Sequence, residues 1–267
     1  MREPADVLSR RRFLIVLISS LSSGRQKITA RARVPHSGEE KLMSREMMKQ
    51  ISEKNFVAQF FDQYFMALER RLKDRFPQEA KAVVEVIRKR TEEIKSENKG
   101  WISDSPSVFN LNLTAMIVAT HQVLSQRIAG EKGVLELVRY AFFEGQQHHR
   151  AKEFFLEAMA KSTDAFSELV ATSKAKEAGQ YGEAFVFERE RDDERFYFLN
   201  VRKCFYYDFF RAQGLPQLTP IFCDWDNVWG DELKDGRYGV IFERPETIGY
   251  GGRVCRFQFT RVKRTKL

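Results

Sequence analysis

Apolar side chains recur every fourth position between Ser44 and Phe76, at Phe56, Phe60, Tyr64, Leu68, Leu72 and Phe76, with Val57, Phe61 and Phe65 beside them. A stripe of that width predicts one long amphipathic helix. Pro77 resets the chain. Ala80 to Ile94 then repeats the period through Val83, Val84, Ile87 and Ile94, and the Glu, Lys and Arg of its other face read as solvated surface. Val108 to Ile128 predicts a more apolar third helix, on which His121 is expected as a hydrogen-bonded core or boundary residue. Val134 to Phe143 and Ala151 to Val170 continue the helical pattern.

The period changes after residues 171–182, a small and polar stretch ending in Gly179-Gln180-Tyr181-Gly182, which is the best internal boundary. Ala184 to Arg189 and Arg195 to Val201 alternate as strands around the acidic turn Asp192-Asp193-Glu194. Phe205 to Arg211 reads as a short helix, broken at Gly214-Leu215-Pro216. A second helix restarts at Thr219-Pro220, an N-cap followed by a first-turn proline. Gly239 to Ile248 and Val254 to Val262 alternate again, joined through Gly249-Tyr250-Gly251-Gly252. The pattern predicts an α+β fold: a helical N-terminal layer packed on a small antiparallel sheet of about four strands, with a β-β-α-α-β-β C-terminal half.

With 267 residues the chain suffices for one full-sized domain behind a leader, 1–43 and 44–267, the latter divided into a helical layer (44–178) and a sheet and motif region (183–262). The leader holds nine Lys/Arg against four Asp/Glu, so the body carries only +3 of the net +8, weak support for a nucleic-acid partner. Within the leader, Arg11-Arg12 precede Phe13-Leu14 and an apolar run too short to span a bilayer. Two readings stand: a twin-arginine export signal, which implies a periplasmic protein, or an extension ahead of a start at Met43, which implies a cytoplasmic one. Oligomeric state is not legible.

All three cysteines, Cys204, Cys223 and Cys255, lie in the last quarter of the chain, interleaved with aspartates. Three thiols cannot all pair within one chain and are too few for a disulfide scaffold. Helical spacing sets Cys204 and Asp208 on one face, and Cys223, Asp226 and Asn227 on another. A hairpin would add Cys255, whose strand also carries Phe257 and Phe259 on the same face. Each cysteine alone reads as a small buried hydrophobe; the clustering points to a shared role. A second dense titratable group, Glu144, His148 and His149, is either a polar helix junction or, through the i, i+4 pair Glu144 and His148, an acid and a base on one face.

The order Cys204-x3-Asp208, Gly214-x-Pro216-x-Leu218-x4-Cys223-x2-Asp226 and Gly252-x2-Cys255-x-Phe257 resembles the L-2-amino-thiazoline-4-carboxylic acid hydrolase family, closely over the last quarter and in general character through the helical middle. The resemblance implies hydrolytic opening of a 2-amino-thiazoline ring to a carbamoylated cysteine. Such a site needs a carboxylate for the amidinium, a cation for the 4-carboxylate and a proton donor for the departing atom. Asp208 and Asp226 are the candidates for the first role, one also as general base, and Arg211 or Arg202 for the second. For the cysteines two mechanisms stand. Cys223, near a helix start, is activated as a covalent nucleophile, or Cys204, Cys223 and Cys255 together hold a zinc-like ion. Spacings of 19 and 32 residues match no compact Cys-x-x-Cys motif, which disfavours metal, and no cofactor is expected.

The strand and helix order with its late Gly-x-x-Cys-x-Phe also resembles the small-molecule-sensing domains of the vinyl-reductase type, the rival reading in which a cavity binds without turnover. A third reading is a helical partner-binding scaffold using the Phe-rich face of residues 56–76. No HExxH, Gly-x-Ser-x-Gly, phosphate-binding glycine loop or dinucleotide fingerprint is present.

Overall fold

A computed structural model of the chain describes residues 59–264. The readings of residues 1–43, the helix start at Ser44, and Phe56 and Val57 lie outside the described residues. The first described helix, α1 (59–72), is followed by α2 (Ala80–Glu97), α3 (Ser105–Ser125), α4 (Glu131–Gly145), α5 (His148–Lys161) and α6 (Ala165–Lys176). Strands β1 (Val186–Asp192) and β2 (Phe196–Lys203), helices α7 (Phe205–Ala212) and α8 (Thr219–Gly230), and strands β3 (Val240–Glu243) and β4 (Cys255–Arg261) complete an α+β fold in the expected order.

The sheet is antiparallel, in the order β1-β2-β4-β3. Tyr197, Leu199 and Val201 of β2 stand opposite Phe259, Phe257 and Cys255 of β4, so one face is aromatic and apolar. The other face carries ion pairs, among them Arg202 with Glu188 and Arg256 with Glu190.

Two apolar clusters divide the interior. The larger joins α1 to α4 with α7 and the start of α8, around Tyr64, Met116, Phe142, Phe209 and Phe222. The smaller presses Phe155 and Met159 of α5 and Phe166 of α6 onto Tyr197, Phe242 and Phe259 of the sheet. Phe187 and Phe257 pack against both.

Several boundaries differ from expectation. The helix expected over 151–170 is interrupted at 162–164, where Asp164 accepts a hydrogen bond from Ser167 N–H and caps a new helix. Residues 171–182, expected as an internal boundary of small and polar residues, are helical to Lys176 and then form a π-turn, Glu177–Tyr181, whose Glu177, Gln180 and Tyr181 line an internal space with Thr172, Ser173 and Lys176. Gly182 follows with φ +67°, and its backbone lies so close to Asp104 that a Cβ would fall 2.0 Å from Oδ2. Asp104 accepts from Ser107 N–H at 2.8 Å and from Glu183 N–H at 2.6 Å, tying the start of α3 to the entry of the sheet. The third strand ends at Glu243, and Ile248–Tyr250 form a 3-10 turn that packs on α8 instead of extending the ladder. Thr219 is the first residue of α8 rather than its cap.

Candidate active site

A cavity of about 520 Å³ opens between the two clusters, walled by α3 to α6, the π-turn, α8 and the apolar face of the sheet. Cys204, Cys223, Cys255 and Asp226 all line it. Cys204 is the N-cap residue of α7, Cys223 and Asp226 lie one turn apart on α8, and Cys255 opens β4 opposite Val201. Gly249 of the 3-10 turn closes over Cys223 and donates its N–H to the thiol; a Cβ there would come within 2.6 Å of Sγ.

Each thiol is held protonated. Burial pushes Cys223 up to about 12, against the opposing pull of Arg244, and burial likewise raises Cys204 and Cys255. The expectation that a helix N-terminus activates Cys223 is thereby corrected. Cys223 is the fifth residue of α8, beyond the first turn where free N–H groups and the dipole act, and desolvation dominates.

Asp226 is the buried carboxylate of the cavity. Burial raises its pKa, while Arg244 and Lys176 pull it back. Arg244 Nη2 lies 3.3 Å from Asp226 Oδ2, and Nη1 donates to the Cys223 carbonyl at 2.7 Å. Its guanidinium sits 4.4 Å over the Phe257 ring. Lys176, at the end of α6, reaches the same space; burial lowers its pKa and the Asp226 charge opposes that. No hydrogen-bond or ion-pair partner holds Lys176 among the described residues. The Thr219 hydroxyl is buried there without a partner as well. Tyr181 and Tyr206 complete the polar rim of this wall, Tyr206 donating to Asn110 at 3.0 Å, and burial raises both phenols.

Four expected residues are not brought to this cavity. Cys204 and Asp208 do not share a face, because Cys204 has extended backbone (φ −124°, ψ 114°) and its side chain leaves α7 in the direction of the strand. Asp208 instead lines a shallow surface pocket with Asn98, Trp101 and Lys203, where burial raises its pKa against Lys203 and Arg211. Arg202 is exposed on the opposite sheet face, paired with Glu188. Arg211 is exposed in the last turn of α7. Asn227 is not part of the cavity wall.

The pattern of the chain places Glu144, His148 and His149 together as expected, at the junction of α4 and α5, turned by Gln147 with its left-handed φ of 50°. Among the described residues theirs are the ligand-type atoms that gather within 4.8 Å of one another in a group of three; the three thiols do not. Glu144 also lies 3.6 Å from Arg70 and 3.7 Å from His148 Nδ1. His121 is buried and meets Glu131 at 2.9 Å, a boundary residue satisfied by hydrogen bonding.

The cavity wall drawn from α3 through β4 coincides with a second observation. A sequence model of L-2-amino-thiazoline-4-carboxylic acid hydrolase matches residues 109–259, more than half of the chain. The chain belongs to that family. The match takes in the helical middle from Phe109 as well as the cysteine and aspartate motifs. No curated protein matches the chain. Among the described residues no helix is long and apolar enough to cross a membrane, and the family is one that acts on a small molecule.

Lys176, Arg244 and Thr219 were missed by sequence reasoning. Lys176 stands in a stretch that reads as linker, and Arg244 in one that reads as strand. The one available signal was that Arg244-Pro245 cannot continue a central strand.

Proposed function

We propose that the protein is a hydrolase of cyclic amidine-type substrates, opening a 2-amino-thiazoline-4-carboxylate ring to a carbamoyl-cysteine. The observation that carries this reading is that Asp226 and Lys176, a carboxylate and an ammonium that act on each other, both line one cavity. A zwitterionic substrate, amidinium at one end and carboxylate at the other, meets both charges at once. Lys176 takes the carboxylate, and Asp226 takes the amidinium side.

In the reaction water adds to the carbon that bonds two nitrogens and sulfur. Asp226, its pKa raised by burial against the pull of Arg244 and Lys176, accepts the proton that the water loses. The C–S bond breaks, the sulfur leaves with the electron pair, and the proton returns to it to give a thiol; breaking the ring C–N bond instead gives an amine. Arg244 fixes the Asp226 carboxylate and stabilises its charged form. The protonated thiols of Cys204 and Cys223 suit donation toward the departing atom better than attack on the ring. No step is routed through a metal.

The test is incubation of the full-length protein with the ring compound while thiol and amine release are followed. The expected outcome is release that falls about 100- to 10,000-fold in Asp226→Asn with binding retained. Binding without release in the unmodified protein would instead favour a sensory module.

A further inference from the structure

The cavity is much larger than the substrate this reading assigns to it. A 2-amino-thiazoline-4-carboxylate has about nine non-hydrogen atoms and fills on the order of 150 Å³, against the 300–1,000 Å³ typical of sites for drug-sized ligands. The cavity measures about 520 Å³. Of its charged side chains, Lys176 and Arg244 act on Asp226 and Glu177 is engaged by Arg189 and Tyr197, while Phe60, Phe109, Phe142, Phe155, Trp229 and Phe259 supply rings to the wall.

Those rings are held in place by one another. Phe60 meets Phe109 edge to face at 5.4 Å, and Trp229 stacks on Phe259 and leans on Phe155 and Phe242. Rings locked against one another keep that part of the wall in shape and offer an apolar group contacts on its faces.

Resting on the proposed hydrolase reading, we propose that the substrate of this protein is a 2-amino-thiazoline-type carboxylate bearing a bulky apolar substituent, an aryl or long alkyl group, which fills the aromatic end of the cavity while the ring lies between Asp226 and Lys176. The added group leaves the chemistry at the amidine carbon unchanged and supplies binding. An aryl group removed from water on both faces strengthens binding about 10- to 100-fold.

The experiment compares 2-amino-thiazoline-4-carboxylate, its 5-phenyl derivative and 4-phenylbutyrate on the full-length protein, by direct binding and by release of thiol or amine. The expected result is that the phenyl derivative binds at least 10-fold more tightly than the parent ring and is hydrolysed at a lower KM. Leu169→Trp, which fills part of the cavity from α6, is expected to erase that preference and leave the parent ring unaffected, with the thermal midpoint confirming that the variant is folded. Equal or weaker binding of the phenyl derivative, with the parent ring turned over, overturns the inference and leaves the hydrolase reading standing. Binding of 4-phenylbutyrate while neither ring compound is bound or opened removes the hydrolase reading and keeps only an apolar carboxylate site. Failure of all three to bind overturns both.

Discussion

Two groups of titratable side chains, one at the α4–α5 junction and one on the cavity wall, are built in different ways. Glu144, His148 and His149 come from six consecutive positions at the α4–α5 junction and lie partly open to solvent: Glu144 meets Arg70, His148 is half-buried and His149 is exposed. Lys176, Asp226 and Arg244 come from three elements up to 68 positions apart and meet around an enclosed space. In the first group solvent reaches Glu144 and His149 and screens their charges, while partial burial lowers the His148 pKa. In the second, desolvation lifts Asp226, depresses Lys176 and keeps the thiols neutral, so every protonation state is set by the neighbours. Burial rather than density of ionisable residues marks the cavity group as the one suited to proton transfer.

That contrast predicts a graded series of effects. Asp226→Asn is expected to have the largest, the 100- to 10,000-fold loss of turnover given above; a loss below 10-fold would remove Asp226 as the base. Next is Arg244→Met, which strands a buried carboxylate and leaves the Cys223 carbonyl without its donor, at a cost of about 3–5 kcal/mol read from denaturant unfolding. Lys176→Met should raise KM about 10- to 100-fold with a smaller change in kcat, as loss of a charge-assisted contact requires.

The pH profile sharpens the same comparison. Asp226 works ionised and its pKa is raised, so activity should fall as pH drops through that raised value. Lys176 works protonated and its pKa is lowered, so KM should rise as pH climbs through a value below that of an ordinary lysine. Lys176→Arg should carry the alkaline limb to higher pH, and an unmoved limb would assign it to another group.

Gly249→Ala should cost about 1–3 kcal/mol through the clash with the Cys223 sulfur, and Cys223→Ala in that background should recover most of it, a coupling readable in a double-mutant cycle of thermal midpoints. Smallest of all, Glu144→Gln and His148→Ala should alter turnover by less than about 3-fold, as expected of groups outside the cavity wall.

The same contrast explains what the sequence disclosed. Element types were legible because the apolar period changes from 3.6 to 2 near residue 184, whereas the sheet order was not, because the pairing of β2 with β4 joins segments remote in the chain. The Glu144–His149 group was legible because it is local. The cysteines and Asp226 were legible through their motif order. Asp208 was misplaced because helical spacing was applied to Cys204, which has extended backbone as an N-cap. Lys176 and Arg244 carried no local signal, since their environment is made by segments remote in the chain, and burial of a long cation is visible only once those segments meet.

The division of the apolar interior has a thermal consequence. Phe187 and Phe257 are the rings that pack against both clusters, so in the empty molecule they carry much of the mechanical link between the helical half and the sheet. A ligand lodged between the halves acts as a keystone: at a hundredfold excess over its Kd it adds about 2.7 kcal/mol to the folded state. Calorimetry of Phe257→Ala should then show two separated transitions that merge into one when the cavity is filled.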